Sequence, residues 1–158
     1  MLIKKCYMIK YVIISLLTVS FCTSRAQSKE TYQKYISDNL SYKHLKYNIG
    51  ENKCQISIYK IDFKDCTMSY PVFIKKENKT ERYTIRIFLP GINEITVTKS
   101  ENGHHVINFT TERKSIIREY PDGTLLHETK QSIPLTRYDA KALEYLKNLK
   151  IVCTRKSK

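Results

Sequence analysis

Residues 83–109 read YTIRIFLPGINEITVTKSENGHHVINF, and their period decides the fold class. Tyr83, Ile85, Ile87 and Leu89 alternate with Arg82, Thr84 and Arg86. That period of two lays one face of a strand on a core and leaves the other in water. Pro90-Gly91 interrupts the run as a turn, and Ile95 and Val97 resume the alternation. Asn102-Gly103 is a strong hairpin signal, because a type I′ turn needs positive φ at both central residues. His105, Ile107 and Phe109 form the returning strand. Connections this short make the strands antiparallel.

The same period extends to both sides. Cys54, Ile56 and Ile58 alternate with Gln55 and Ser57, and Cys66, Met68, Tyr70 and Val72 alternate with Thr67 and Ser69. Pro71 lacks an N–H for a ladder, which places this second strand at an edge or on a bulge. Ser115 to Tyr120 and Thr124 to Gln131 flank the turn Pro121-Asp122-Gly123. Residues 53–135 therefore hold about seven short strands. Residues 27–52 carry a helical pattern in Tyr32, Tyr35, Ile36 and Leu40, with Ser28 or Thr31 as cap and Gly50 as breaker. Residues 136–153 form a closing helix. Thr136 and Asp139 resemble a capping box, and Ala142, Leu146, Leu149 and Cys153 fall at i, i+4, i+7 and i+11, one stripe that must pack on the sheet. Residues 154–158 are a basic tail.

The class is α+β, and helix, about seven antiparallel strands and closing helix is the order of a pleckstrin-homology-like (PH-like) barrel or strongly bent sheet. A strand ending in Leu89-Pro90-Gly91-Ile92, a short hairpin, and the final stretch AKALEYLKNLKIVC (140–153) resemble a group of exported bacterial proteins of unknown function. The resemblance implies that fold and brings no functional residues with it. A lipocalin-like or β-sandwich fold with a docked helix is the alternative.

Residues 1–26 read as an export signal. Lys4, Lys5 and Lys10 precede an uncharged run from Tyr11 to Cys22, and Ser24-Arg25-Ala26 offers a small-x-small cleavage site. The run is shorter than the ~20 residues a transmembrane helix needs, so no transmembrane anchor is expected. Cys22 is a poor lipidation site because bulky Phe21 precedes it. The segment holds four of the 28 basic residues and none of the 15 acidic ones, leaving 24 against 15, a net +9. An anionic surface or polyanion is a compatible partner. The lysines are dispersed, however, with only Lys75-Lys76 and the tail resembling patches, so no specific nucleic-acid site is read.

An exported chain, periplasmic or extracellular, permits disulfides. Cys54, Cys66 and Cys153 all share the phase of their apolar faces. A bond from the terminal helix to a strand would clamp the domain, so Cys153 is paired with a strand cysteine, Cys66–Cys153 being favoured over Cys54–Cys153 with Cys54 as the leftover thiol. No nucleophile loop, H-E-x-x-H or C-x-x-C is present, the carboxylates are scattered, and no cofactor or metal motif appears. Adjacent His104 and His105 point to opposite faces of a strand. The abundant tyrosines suggest an interaction surface: Tyr32, Tyr35, Tyr42 and Tyr47 interleave with Lys43 and Lys46. The sequence thus reads as a non-catalytic domain that binds a protein partner, such as an immunity or inhibitor protein, through a strand edge or its first helix. A barrel holding a lipid or other small molecule, and a small hydrolase using Cys66 or a histidine, are the alternatives.

Overall fold

Among the described residues, alternating side chains build ten strands rather than seven. The structure, a computed structural model, describes residues 29–49, 52–76, 79–100 and 103–156, and from residue 32 the chain forms one compact unit. The signal segment at 1–26, Cys22 included, lies outside the described residues. Helix α1 spans residues 29–40. Strands β1 (Tyr42–Ile49), β2 (Asn52–Ile58), β3 (Asp62–Lys64), β4 (Thr67–Lys75) and β5 (Thr80–Phe88) follow. A 3-10 turn (Leu89–Gly91) leads to β6 (Glu94–Lys99), β7 (His105–Thr110), β8 (Ile116–Glu119), β9 (Leu125–Glu128) and β10 (Lys130–Pro134). Helix α2 (Ala140–Lys156) ends the fold.

Two antiparallel sheets result. One has the order β1-β2-β4-β5-β8-β9, with β3 also paired to β4, and the other has the order β10-β7-β6. A single long hairpin joins them. Its pairs run from Glu119↔Leu125 to Glu128↔Ile116 in the large sheet and from Lys130↔Thr110 to Pro134↔Val106 in the small one. Between the two halves, the Thr111 N–H donates to the Thr129 carbonyl at 2.9 Å and preserves the register across the bend.

The closed barrel does not form. A sequential barrel needs β5 to pair with β6, but β5 takes β8 as its neighbour. The cause is the Leu89–Gly91 turn. Pro90 has no N–H to continue a ladder. Gly91 backs so closely onto Ser115 that a Cβ would overlap that side chain, and its carbonyl accepts the buried Thr111 hydroxyl at 2.7 Å. The chain is thereby turned out of the large sheet before β6 begins.

Three further differences have local causes. The helical segment expected to residue 52 stops at Leu40, where the Ser41 hydroxyl bonds back to the Ser37 carbonyl at 2.9 Å. Tyr42–Ile49 then pairs with β2, tertiary pairing overriding a loose helical pattern. The run 124–131 splits because it belongs to both sheets. Pro71 is neither at an edge nor in a bulge: β4 pairs without interruption along β5, from Thr67↔Phe88 to Lys75↔Thr80. Its other side meets β3 at Thr67–Ser69 and β2 at Val72–Lys75, so Pro71 sits in the gap between two partners, where no ladder N–H is required.

The two Gly-containing hairpins share one device. Gly103 and Gly123 have φ of 79° and 85°, and their N–H groups donate to the carbonyls of Ser100 and Tyr120. Asp122 holds the second loop by accepting the Thr124 N–H at 2.9 Å, and that bond lowers the carboxyl pKa. Helix α2 is capped by Asp139 rather than Thr136: its Oδ1 accepts the Ala142 N–H at 3.0 Å. The stripe Ala142, Leu146, Leu149 and Cys153 is fully buried, over the Leu89–Gly91 turn and β6. Met68, Tyr70, Ile85, Ile87, Ile107 and Phe109 fill the interior with no exposure.

Candidate functional site

The last turns of α2 are held from two directions. Cys66 lies in the two-residue turn between β3 and β4, where Asp65 adopts a φ of 54°. Its sulfur is joined to Cys153, 87 residues away, with Cα atoms 5.6 Å apart. The structure thus brings Cys66 and Cys153 together and leaves Cys54 outside the bond, buried in β2. Burial raises the Cys54 thiol pKa, which keeps it protonated at neutral pH. While bonded, Cys66 has no thiolate to act as a nucleophile. Among the described residues, no three His, Cys, Asp or Glu side chains gather as metal ligands.

The described members of the tyrosine-lysine set divide between α1 and β1. Tyr32 and Tyr35 on α1 lean on Tyr145 of α2, with ring centroids 4.8 and 5.0 Å apart, and the Tyr35 hydroxyl donates to the Asp139 carboxylate at 3.1 Å. Tyr42 starts β1 and packs against the core, whereas Lys46 on the same strand is exposed. Of Lys43 and Tyr47 only the strand positions in β1 are described. The two helical tyrosines therefore serve the contact between helices.

What the clamp does create is a groove beside β6. Strand β6 is an edge of the small sheet. The bond from the Ser100 N–H to the His104 carbonyl sets the ladder phase, so Glu94, Thr96 and Thr98 direct their backbone groups to β7. Ile95, Val97 and Lys99 direct theirs away from it. Alongside runs α2, and between them opens a groove of about 560 Å³. The strand contributes Asn93 to Thr96. The helix contributes Lys147, Ile151, Thr154 and Arg155, together with Lys150, whose ammonium donates to the Asn93 carbonyl at 2.7 Å. Ile95 is buried at the floor, and Ile151 is 48 % exposed at the wall. Three cations face one acid, Glu94, across this opening.

Other features offer less. Strand β9, an edge of the large sheet, exposes Leu125 and Leu126, but it is only four residues long. On the inner face, Arg118 pairs with Glu128 at 2.7 Å and lies over the Tyr83 ring at 4.5 Å. Burial raises the Tyr83 pKa, opposed by Arg118. Glu128 balances the Arg118 charge, and Tyr83 borders a separate opening of about 440 Å³ beside Arg82, Arg86 and Glu119, where the Arg86–Glu119 pair leaves Arg82 as the one cation without a carboxylate partner among the lining residues. No helix among the described residues is long and apolar enough to cross a membrane.

No protein-family model, curated protein or solved structure matches the chain. The groove residues escaped the sequence reading, yet they had a signal. Lys147, Ile151, Thr154 and Arg155 form a second i, i+4, i+7, i+8 row beside the buried stripe, with an apolar residue where a fully solvated face would be polar.

Proposed function

We propose that this is an exported, non-catalytic interaction domain that binds a protein partner by strand addition. An extended segment of the partner pairs with the open edge of β6, beside α2. One observation carries the reading: β6 is an open edge along Ile95, Val97 and Lys99, and its first part, Asn93 to Thr96, lines an opening whose other wall is a disulfide-clamped helix. Main-chain pairing supplies affinity in such a mode and the flanking wall supplies selectivity. A rigid wall also lowers the ordering cost of binding. An immunity or inhibitor protein acting outside the cytosol is one form this function takes. Export is supported by the signal pattern at residues 1–26 and by the Cys66–Cys153 bond, which an oxidising compartment maintains.

The test is selection of displayed random peptides on the protein spanning 27–158, followed by affinity measurement on Val97→Pro. Proline at 97 removes an N–H that β7 does not use, so the fold should survive. Selected peptides should lose at least about tenfold in affinity, because strand addition needs that donor. Peptides that bind Val97→Pro as well as the parent would sink the reading, provided its melting curve matches the parent's.

A further inference from the structure

We infer that the segment captured along β6 is acidic, with the pattern acidic-x-apolar-x-acidic, an inference that rests on the strand-addition reading. The groove sets the spacing. Lys147, Ile151 and Arg155 succeed one another every four residues on α2, or about 6 Å apart along the axis. Same-face residues of an extended chain, two apart, are separated by about 6.6 Å. A strand lying beside α2 therefore places alternate side chains opposite Lys147, Ile151 and Arg155 in turn. The lengths also match: Asn93 to Thr96 spans about 10 Å of strand, and 147 to 155 about 12 Å of helix.

Charge decides the outer two positions. Lys147 and Arg155 flank the half-exposed Ile151, and no salt bridge engages either among the described residues. Lys150 is anchored to the Asn93 carbonyl and adds positive potential at the floor. Glu94 is the single opposing carboxylate in the lining. The carbonyls at the end of α2 carry partial negative charge, which the nearest cations offset, but Lys147 stands more than two turns before the helix end. An apolar side chain opposite Ile151 would cover its exposed surface, and carboxylates on either side would meet Lys147 and Arg155. A lipid surface fits less well, since it makes no use of the outward backbone groups of β6.

The experiment uses three blocked peptides, each carrying its pattern once in a Ser/Thr background: Glu-Thr-Val-Thr-Glu, Gln-Thr-Val-Thr-Gln and Lys-Thr-Val-Thr-Lys. Binding to the disulfide-intact protein is followed by fluorescence anisotropy at low and high salt. The Glu peptide should bind at least about tenfold tighter than the Gln peptide at low salt, with the gap closing in about 0.5 M NaCl. Lys147→Glu with Arg155→Glu should invert the preference toward the Lys peptide. Equal binding of Glu and Gln peptides, both abolished by Val97→Pro, would overturn the acidic pattern and leave strand addition standing. Binding of the Glu peptide that ignores Val97→Pro would overturn strand addition and, with it, the pattern's geometry. Binding to anionic phospholipid vesicles that is lost in the charge reversal and kept in Val97→Pro would replace the peptide by a membrane. Failure of all three peptides to bind would overturn the proposal.

Discussion

Helices α1 and α2 rest on the same body but are held by different means. Helix α2 sinks four side chains without exposure and is tied covalently to the β3–β4 turn through Cys153. Helix α1 sinks Ile36 and Leu40, donates the Ser37 hydroxyl to the Ile61 carbonyl, and leans, through tyrosine rings and one hydroxyl, on α2 itself. The dependence runs one way: α1 uses α2 as part of its platform, whereas α2 is secured by the sheet and the disulfide. That arrangement suits a helix serving as one wall of a binding groove, because a wall must not yield when a strand presses against it.

The largest effect should come from removing the clamp. Cys66→Ser with Cys153→Ser should cost about 4.5 kcal/mol, as loop-closure entropy gives for a loop of this size. Urea unfolding of the 27–158 protein measures it, and far-UV circular dichroism should show the strands retained. A loss under about 1 kcal/mol would erase the difference between the helices, since packing alone would then hold both.

Packing comes next. Leu146→Ala should cost about 2–4 kcal/mol through lost transfer energy and the cavity left behind, and Ile36→Ala a comparable amount. The contrast lies in where the damage appears. With the disulfide intact, Leu146→Ala should leave amide protection of α2 above that of α1, whereas Ile36→Ala should expose α1 to exchange without touching α2. If α2 opens first in either variant, the ranking of the two helices is reversed.

This asymmetry was half visible in the sequence. The α2 stripe at i, i+4, i+7 and i+11 is a pattern only a docked helix produces, and Cys153 within it pointed to a partner cysteine. The alternation from Tyr83 to Phe109 was equally direct, because one buried sheet face fixes its own register. Hidden were the features set by distant partners. The pairing of β5 with β8 depends on how Gly91 packs against Ser115, 24 residues on, and no periodicity encodes that contact. Tyr32 and Tyr35 look like a surface in isolation, and only the position of Tyr145 turns them inward. The groove was hidden for the same reason, since an edge strand and a helix become two walls only after both have docked.

Tyr145→Ala tests the contact between the helices directly. It removes the ring on which Tyr32 and Tyr35 both rest and which the Lys141 ammonium approaches at 5.3 Å. Aromatic pairs of this kind contribute about 0.5–1.5 kcal/mol each beyond buried area, so a loss of about 1–2 kcal/mol is expected, felt in α1 rather than α2. A loss as large as that of Leu146→Ala would mean that α1 supports α2 and not the reverse.

The smallest effect should be Tyr35→Phe, and pH makes it readable. The Tyr35 hydroxyl donates to Asp139, the carboxylate that also caps α2. Partial burial and then that hydrogen bond hold the Tyr35 pKa above its ordinary value of 10.0, because ionising the phenol would both desolvate a charge and set it against a carboxylate. A folded-state pKa above the unfolded one means a contribution fully present below pH 10 and lost as pH rises through the folded value. At neutral pH the variant should therefore melt within about 2 °C of the parent, on the low side. Above pH 10 the gap should close, and it should reverse once a tyrosinate faces Asp139 in the parent. Tyr70, whose pKa full burial pushes much higher, is present in both proteins and cancels from the comparison. Melting curves of the pair at several pH values between 7 and 11 measure the gap, and a gap that stays constant over that range would show that the Tyr35 hydroxyl does not join the two helices.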